Sequence, residues 1–358
     1  MSTDRSKKRF ALHGYAGIVI MALAEGLLFG GNQFVGHWFT PIVWTGYILF
    51  VDALVYKFSG RSLLMTDRLE LVIIALISIA GWWLFEFYNA PRFWKSDLEL
   101  WWHYHNLEPN LFLRRVGYDW AFATISPAMF ETAELFAPTL FQRQTSRATI
   151  KFSKAALLVM IFVGLVGAIV PLVFPSEWLA PVVWLSFILL LDPVNALRGQ
   201  PSISNDLARG DWRRLWALLA GGLVCGVLWE FWNYWALTKW TYTVPYFGNV
   251  RIFEMPVLGF LGFPPFAVEC WVMYIFLRSL LAPKRTSLQS NGRDIYVRVR
   301  EETADDNGPP LLGPQCVSRS SAELPMSKSS PSESKSRIWT IFKELTEKVD
   351  GASSRDLP

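Results

Sequence analysis

Residues 69–89 read LELVIIALISIAGWWLFEFYN, and residues 214–233 read RLWALLAGGLVCGVLWEFWN. Each is an apolar run of the length that crosses a hydrocarbon core as a helix, about 20 residues. Each also ends on an acid with an amide three residues later: Glu86-x-x-Asn89 and Glu230-x-x-Asn233. A carboxylate in such a run costs about 2.5–3.5 kcal/mol even on the lenient insertion scale. The chain bears that cost twice in one local context, which marks both positions as places to look for function.

Working outward, apolar runs of similar length recur at about 14–31, 40–57, 69–89, 118–138, 153–174, 178–197, 214–235 and 256–281. The sequence is 52% hydrophobic and holds 18 Trp and 26 Phe, so most of it suits a lipid rather than an aqueous surrounding. The expected class is all-α: a polytopic membrane helical bundle of about eight transmembrane helices. The first run follows a basic start (Arg5, Lys7, Lys8, Arg9) and continues past Gly30 with Glu25 inside it. It offers no small-residue cleavage site and is expected to stay as a first helix.

Lys and Arg gather in alternate connections: 57–68, 143–154, 198–214 and the segment after 278. The 31–39 and 175–177 connections hold none, and the 90–115 loop, with Arg92, Lys95, Arg114 and Arg115, departs from the pattern. The inside-positive rule then predicts a cell (inner) membrane protein with both termini cytoplasmic. These loops account for the net charge of +4 without a nucleic-acid partner. The cysteines, Cys225, Cys270 and Cys316, have no metal spacing, and no disulfide framework is expected.

The two opening runs are landmarks in a longer correspondence. Pro41-x-x-Trp44 matches Pro181-x-x-Trp184, and Asp52 matches Asp192, both at a separation of 140. Trp102-x-Tyr104 matches Trp240-x-Tyr242, and Pro127-x-x-x-Glu131 matches Pro265-x-x-x-Glu269, both at 138. The expected organisation is a cytoplasmic N-terminus (1–13), a four-helix repeat (14–138), a basic linker (139–151), a second four-helix repeat (152–281) and a tail (282–358). An even number of helices per unit makes the repeats parallel, related by an axis along the membrane normal. The tail runs through Ser, Pro, Gly and charge and is expected to be mostly disordered. Ile338, Ile341, Phe342, Leu345 and Val349 mark a short amphipathic helix near 336–350, suited to a membrane surface or a cytoplasmic partner.

Four acids are the candidate catalytic groups: Glu86, Glu131, Glu230 and Glu269. If helices begin near Pro127 and Pro265, Glu131 and Glu269 lie about one turn in, at the outer depth of Glu86 and Glu230; the alternative is one long helix kinked at proline, which would sink both toward mid-membrane. Asn89, Asn233, Trp102, Tyr104, Trp240 and Tyr242 are the candidate substrate-binding groups, roofing a pocket between the repeats. Acids in an apolar pocket suit proton chemistry; four carboxylates would also suit a hard cation. The sequence identifies no cofactor. His103 and His105 are read as a wet interfacial pair. Asp52 and Asp192, at inner helix ends before polar turns, suggest a capped inner turn, with bridging to nearby Arg as the leading expectation. Glu25 stands alone, either a site residue of the first half or the partner of a basic loop residue.

One stretch resembles a known family. Lys239-Trp240-Thr241-Tyr242, followed by Leu258-Gly259 and Pro265-x-x-x-Glu269, is similar to the core of the heterodimeric and fungal-type lycopene cyclases and their carotenoid-modifying relatives. That family has two adjacent acids after the proline, where this chain has Val268-Glu269. The resemblance implies a small multi-helix membrane protein whose acids protonate an isoprenoid-like substrate. Three functional classes follow. The first is an intramembrane enzyme or binding protein for a lipophilic small molecule or membrane lipid. The alternatives are a transporter or ion-coupled permease, and a membrane anchor or assembly protein.

Overall fold

The computed structural model describes residues 8–90, 99–144, 147–243, 245, 248–281, 286–289 and 295–301. Among these the first half supplies α1 (Leu12–Phe29), α2 (Gln33–Ser59), a short α3 (Leu63–Thr66), α4 (Arg68–Asn89) and α5 (Leu111–Thr139). The second half supplies α6 (Lys154–Val173), α7 (Ala180–Leu197), a short α8 (Ile203–Ala208), α9 (Arg213–Trp235) and α10 (Phe263–Leu281). The packing partners run in matched pairs. α1 lies on α2 as α6 lies on α7; α2 meets α5 as α7 meets α10; α4 meets α5 as α9 meets α10. Across the halves, α5 packs on α9 and α4 on α10.

Seven of these stretches are long and apolar enough to cross a membrane; they contain α1, α2, α4, α6, α7, α9 and α10. The chain is thus a helical membrane protein by length and composition. The exception is α5. It has 29 residues, but Arg114, Arg115, Asp119, Glu131 and Glu134 lower its apolarity. It is sheltered instead by α2, α4 and α9.

Small residues let the outer pairs close up, as expected where lipid removes the hydrophobic drive between helices. A methyl group on Gly17 would stand 2.4 Å from the Gly46 carbonyl of α2. One on Gly164 would stand 2.4 Å from the Leu190 amide of α7. A side chain at either position would force the pair apart.

The bundle has two distinct ends. At one, which we call the turn end, α3 and α8 connect the long helices. Asp52 and Asp192 point there, but not at arginines. Asp52 accepts from the Ser62 hydroxyl (2.8 Å) and the Leu64 amide (2.8 Å), with His13 Nε2 2.8 Å away. Asp192 accepts from the amides of Ile203 (2.6 Å) and Ser204 (2.9 Å) and from the Ser204 hydroxyl. Both carboxylates therefore satisfy the free N–H groups at the start of a short helix. This corrects the expectation of salt bridges: the amides of a buried helix start need partners that water cannot supply.

At the opposite, strand end, β1 (Trp102–His105) pairs antiparallel with β2 (Lys239–Tyr242). The register is Trp102 with Tyr242, His103 with Thr241, and Tyr104 with Trp240. Arg251–Ile252 (β3) pairs with Met255–Pro256 (β4), and a 3₁₀ segment, Val257–Gly262, leads into α10. The 251–262 stretch is thus broken rather than helical, as its prolines and glycines predict.

Of the tail, residues 286–289 and 295–301 are described, and 295–297 pack on the bundle. Thr286–Gln289 (β5) pairs with Arg298–Glu301 (β6), and Ile295, Tyr296 and Val297 are each only 1% exposed. The Ile295 amide donates to Glu134 (2.6 Å) and its carbonyl accepts from the Trp271 indole (2.6 Å). The Val297 amide donates to the Tyr274 hydroxyl at 3.2 Å. Three apolar residues in a polar tail thereby strap the turn ends of α5 and α10. The proposed helix near 336–350 lies outside the described residues.

Candidate functional site at the strand end

The two Glu-x-x-Asn motifs end α4 and α9, so both present their side chains beneath the β1–β2 pair. Each Asn holds the backbone of its own strand. Asn89 Oδ1 accepts from the amides of Trp101 (2.8 Å) and Trp102 (3.1 Å), and its Nδ2 donates to the Trp102 carbonyl (2.9 Å). Asn233 accepts from the Trp240 amide (2.9 Å) and donates to the Trp240 carbonyl (2.8 Å). An amide is needed because one side chain must both accept and donate.

Each Glu then meets the tyrosine of that strand. Tyr104 donates its hydroxyl to Glu86 Oε1 at 2.5 Å, and Tyr242 donates to Glu230 Oε1 at 2.6 Å. Beyond this the two sites differ. Glu86 Oε1 also receives the indoles of Trp82 (2.8 Å) and Trp102 (3.2 Å). Among the described residues Glu230 receives only Tyr242, which itself accepts from the Trp240 indole at 2.6 Å, and Glu230 Oε2 has no partner there. Burial, followed by the charge of the paired glutamate, pushes both tyrosine hydroxyls well above their usual pKa. Both therefore stay protonated donors at any physiological pH.

These tyrosines form part of the wall of an aromatic cavity. It holds about 100 Å³ between α2, α4 and α5, and Trp44, Trp82, Trp229 and Trp240 line it with Tyr104 and Tyr118. The rings pack on one another, with Trp82 and Trp229 centroids 5.4 Å apart and Trp229 and Trp240 5.7 Å apart. A second cavity of about 500 Å³ lies at the start of α7, against Trp184, Met255, Leu258 and Pro265. Trp102, Trp184, Tyr242 and Phe263 line both, so the cavities adjoin. Glu86 and Glu230 sit behind the aromatic wall and reach the first cavity through tyrosine hydroxyls.

The structure brings eight of the ten sequence candidates to this end: Glu86, Asn89, Trp102, Tyr104, Glu230, Asn233, Trp240 and Tyr242. It does not bring Glu131. α5 starts at Leu111, not near Pro127, which places Glu131 20 residues along the helix, about 30 Å at 1.5 Å per residue. Glu131 Oε1 accepts from the Leu63 amide at 3.1 Å, at the turn end. Pro127 fails to start the helix because α4 repairs the break. The Ser78 hydroxyl donates to the Phe122 carbonyl (2.5 Å) and accepts from the Ser126 amide (3.0 Å), replacing the direct bond between them.

Glu269 lies six residues past the start of α10, so that helix does begin where its prolines predict. It is fully buried, and neither oxygen makes a hydrogen bond; the Phe187 amide of α7 approaches without the geometry of one. Three residues further on, the Val272 carbonyl accepts from Asn195 near the end of α7. Of the four carboxylates, Glu86 and Glu230 lie beneath the strand pair, Glu269 lies six residues into α10 from the same end, and Glu131 lies at the turn end.

Sequence reasoning did not single out Trp82, Trp229, Tyr118 or Phe266 as cavity residues. Trp82 and Trp229 had a signal, since they stand four and one residues before the paired acids. Trp44 and Trp184 had been read only as repeat markers. Glu25 accepts from the Trp232 indole at 2.9 Å rather than from a basic loop residue. His103 and His105 face threonines of the other half, Thr243 (2.6 Å) and Thr241 (2.8 Å). Among the described residues no three His, Cys, Asp or Glu side chains stand close enough to hold a metal ion. No family model, curated protein or solved structure matches the chain.

Proposed function

We propose that this is an intramembrane enzyme or binding protein for a lipophilic, isoprenoid-like molecule, which it holds in the aromatic cavities and serves with protons from Glu86 and Glu230. The observation that carries this reading is the pair of tyrosines, each lining the cavity and each bonded through its hydroxyl to a buried carboxyl group. Indole faces suit an apolar ligand and stabilise positive charge developing on it. A carboxyl reached through a hydroxyl can exchange a proton with such a ligand while water stays outside.

The unequal surroundings divide the work. Glu86, with three donors on one oxygen, suits the carboxylate that receives a proton. Glu230, with one donor and a bare second oxygen, suits the acid that gives one. Glu131 acts away from this pair, accepting from the Leu63 amide at the turn end.

The matched packing and the centred β1–β2 register support two parallel four-helix repeats related by an axis through the His103–Thr241 pair. With α5 as an eighth span, both termini fall on one side, the cytoplasmic side by the charge rule. A transport path is disfavoured by the filling of the turn end with Phe130, Trp271, Tyr274 and the Ile295–Val297 strap.

The test is lipid extraction and mass spectrometry of the purified protein, followed by incubation of the bound lipophile in deuterated water. Wild type is expected to carry a polyunsaturated lipophile and to place deuterium in it. Glu230→Gln should retain the molecule and lose the deuterium. An empty wild-type protein, or equal deuterium in both forms, would sink the reading.

A further inference from the structure

The first cavity is not apolar throughout. Its rim carries His37, Glu108, Arg114 and Thr238. Arg114 is the unusual member. It lies in the first turn of α5, where the positive end of the helix dipole disfavours a cation. Its neighbour Arg115 has compensation, pairing with Asp119 at 2.9 Å and lying 4.0 Å over the Trp83 ring. Arg114 makes no ion pair among the described residues; only its Nε is used, on the Glu108 carbonyl at 2.7 Å. That bond fixes the guanidinium at the rim with its two terminal nitrogens uncommitted. The Glu108 carboxylate accepts from the Asn110 amide at 3.1 Å and makes no ion pair with Arg114. The Nδ1 of His37 is held by the Gln33 carbonyl at 2.8 Å, which leaves the other ring nitrogen as the free polar group.

A cation placed against its helix dipole, fixed, and unmatched by a carboxylate is a site for an anion. The rest of the wall is aromatic and leads into the larger second cavity. Resting on the lipophilic-ligand reading above, we propose that the ligand is an amphiphile with an anionic head, a carboxylate or a phosphate. The head pairs with Arg114 at the His37 rim, and the apolar body passes Trp102 and Tyr242 into the second cavity. The guanidinium fork suits either oxyanion. This orientation sets a middle portion of the chain, not the head, against the Tyr104 and Tyr242 hydroxyls.

Energy transfer from tryptophan to cis-parinaric acid, a conjugated fatty acid, reads occupancy directly; its methyl ester is the uncharged control. Both are titrated into detergent-solubilised full-length protein. Saturable transfer is expected, with the acid binding about tenfold tighter than the ester, the scale of a charge-assisted hydrogen bond. Arg114→Gln should bring the acid to the level of the ester and leave the ester unchanged, while Arg115→Gln changes neither. Gly117→Phe fills the cavity beside Trp38, 3.7 Å from the added Cβ, and should abolish saturable transfer of both. Competition by oleate and by dodecyl phosphate tells which oxyanion is preferred. Equal affinity of acid and ester in wild type, with both lost in Gly117→Phe, overturns the anionic head and leaves the cavity reading intact. Transfer that never saturates, or that Gly117→Phe leaves unchanged, overturns the cavity reading and this proposal with it.

Discussion

At the scale of single residues, the same two side chains, Tyr and Glu, meet in both halves with different support. Glu86 would keep two indole donors if its tyrosine hydroxyl were lost; Glu230 would keep none. Tyr242→Phe should therefore destabilise the protein more than Tyr104→Phe. The expected costs are about 1–3 kcal/mol for the buried acid left bare and about 1 kcal/mol for the better-supported one. Thermal unfolding of the two variants in one detergent checks the order, and equal shifts would show that Glu230 has another partner. The Glu and Asn positions were legible in the sequence because a polar group in an apolar run is conspicuous, and a spacing of three puts both on one helix face. What they bind was not legible. Asn89 holds the backbone of Trp101 and Trp102 across a connection that no periodicity describes.

At the scale of elements, α5 shows where local rules lose to tertiary structure. Proline is favoured in the first turn of a helix and unfavourable inside one, so Pro127 reads as a start. The helix instead runs through it, because Ser78 of a neighbouring helix lends a hydroxyl to the broken ladder. Pro265 has no such neighbour in its favour and does lie at a start, in α10. Two prolines in similar motifs thus take opposite roles, and only the packing of α4 on α5 tells them apart. Ser78→Ala should cost about 1–3 kcal/mol by leaving the Ser126 amide and Phe122 carbonyl unpartnered. In a Pro127→Ala background the helix can close its own bonds, so the second loss should be smaller. A double-mutant cycle by thermal unfolding measures that coupling, and strict additivity would mean that Ser78 does not support the proline site.

At the scale of the whole molecule, the membrane class was visible in composition and spacing; of the eight apolar runs, seven are long and apolar enough to cross a membrane and the one that became α5 is not. The strap was not visible in either. Ile295-Tyr296-Val297 lies in a stretch whose average is polar, and three apolar residues do not move an average. Their burial comes from fit to the turn end, where Glu134, Trp271 and Tyr274 each contribute one polar atom to their backbone. Burial of the three side chains, about 1.5–3 kcal/mol each, supplies most of the gain, so losing one hydrogen bond should loosen the contact without detaching it. Trp271→Phe removes the donor to the Ile295 carbonyl and keeps most of the ring volume. It should raise amide exchange at Ile295 and Val297 by about tenfold, the loss of roughly one buried hydrogen bond. The strand-end helices, some 30 Å away along α5, should exchange as in wild type. Hydrogen exchange read by mass spectrometry separates these regions. If both ends loosen together, the strap is part of one cooperative core; if only 295–297 changes, the strap is a separable fastener that can lift without unfolding the cavity.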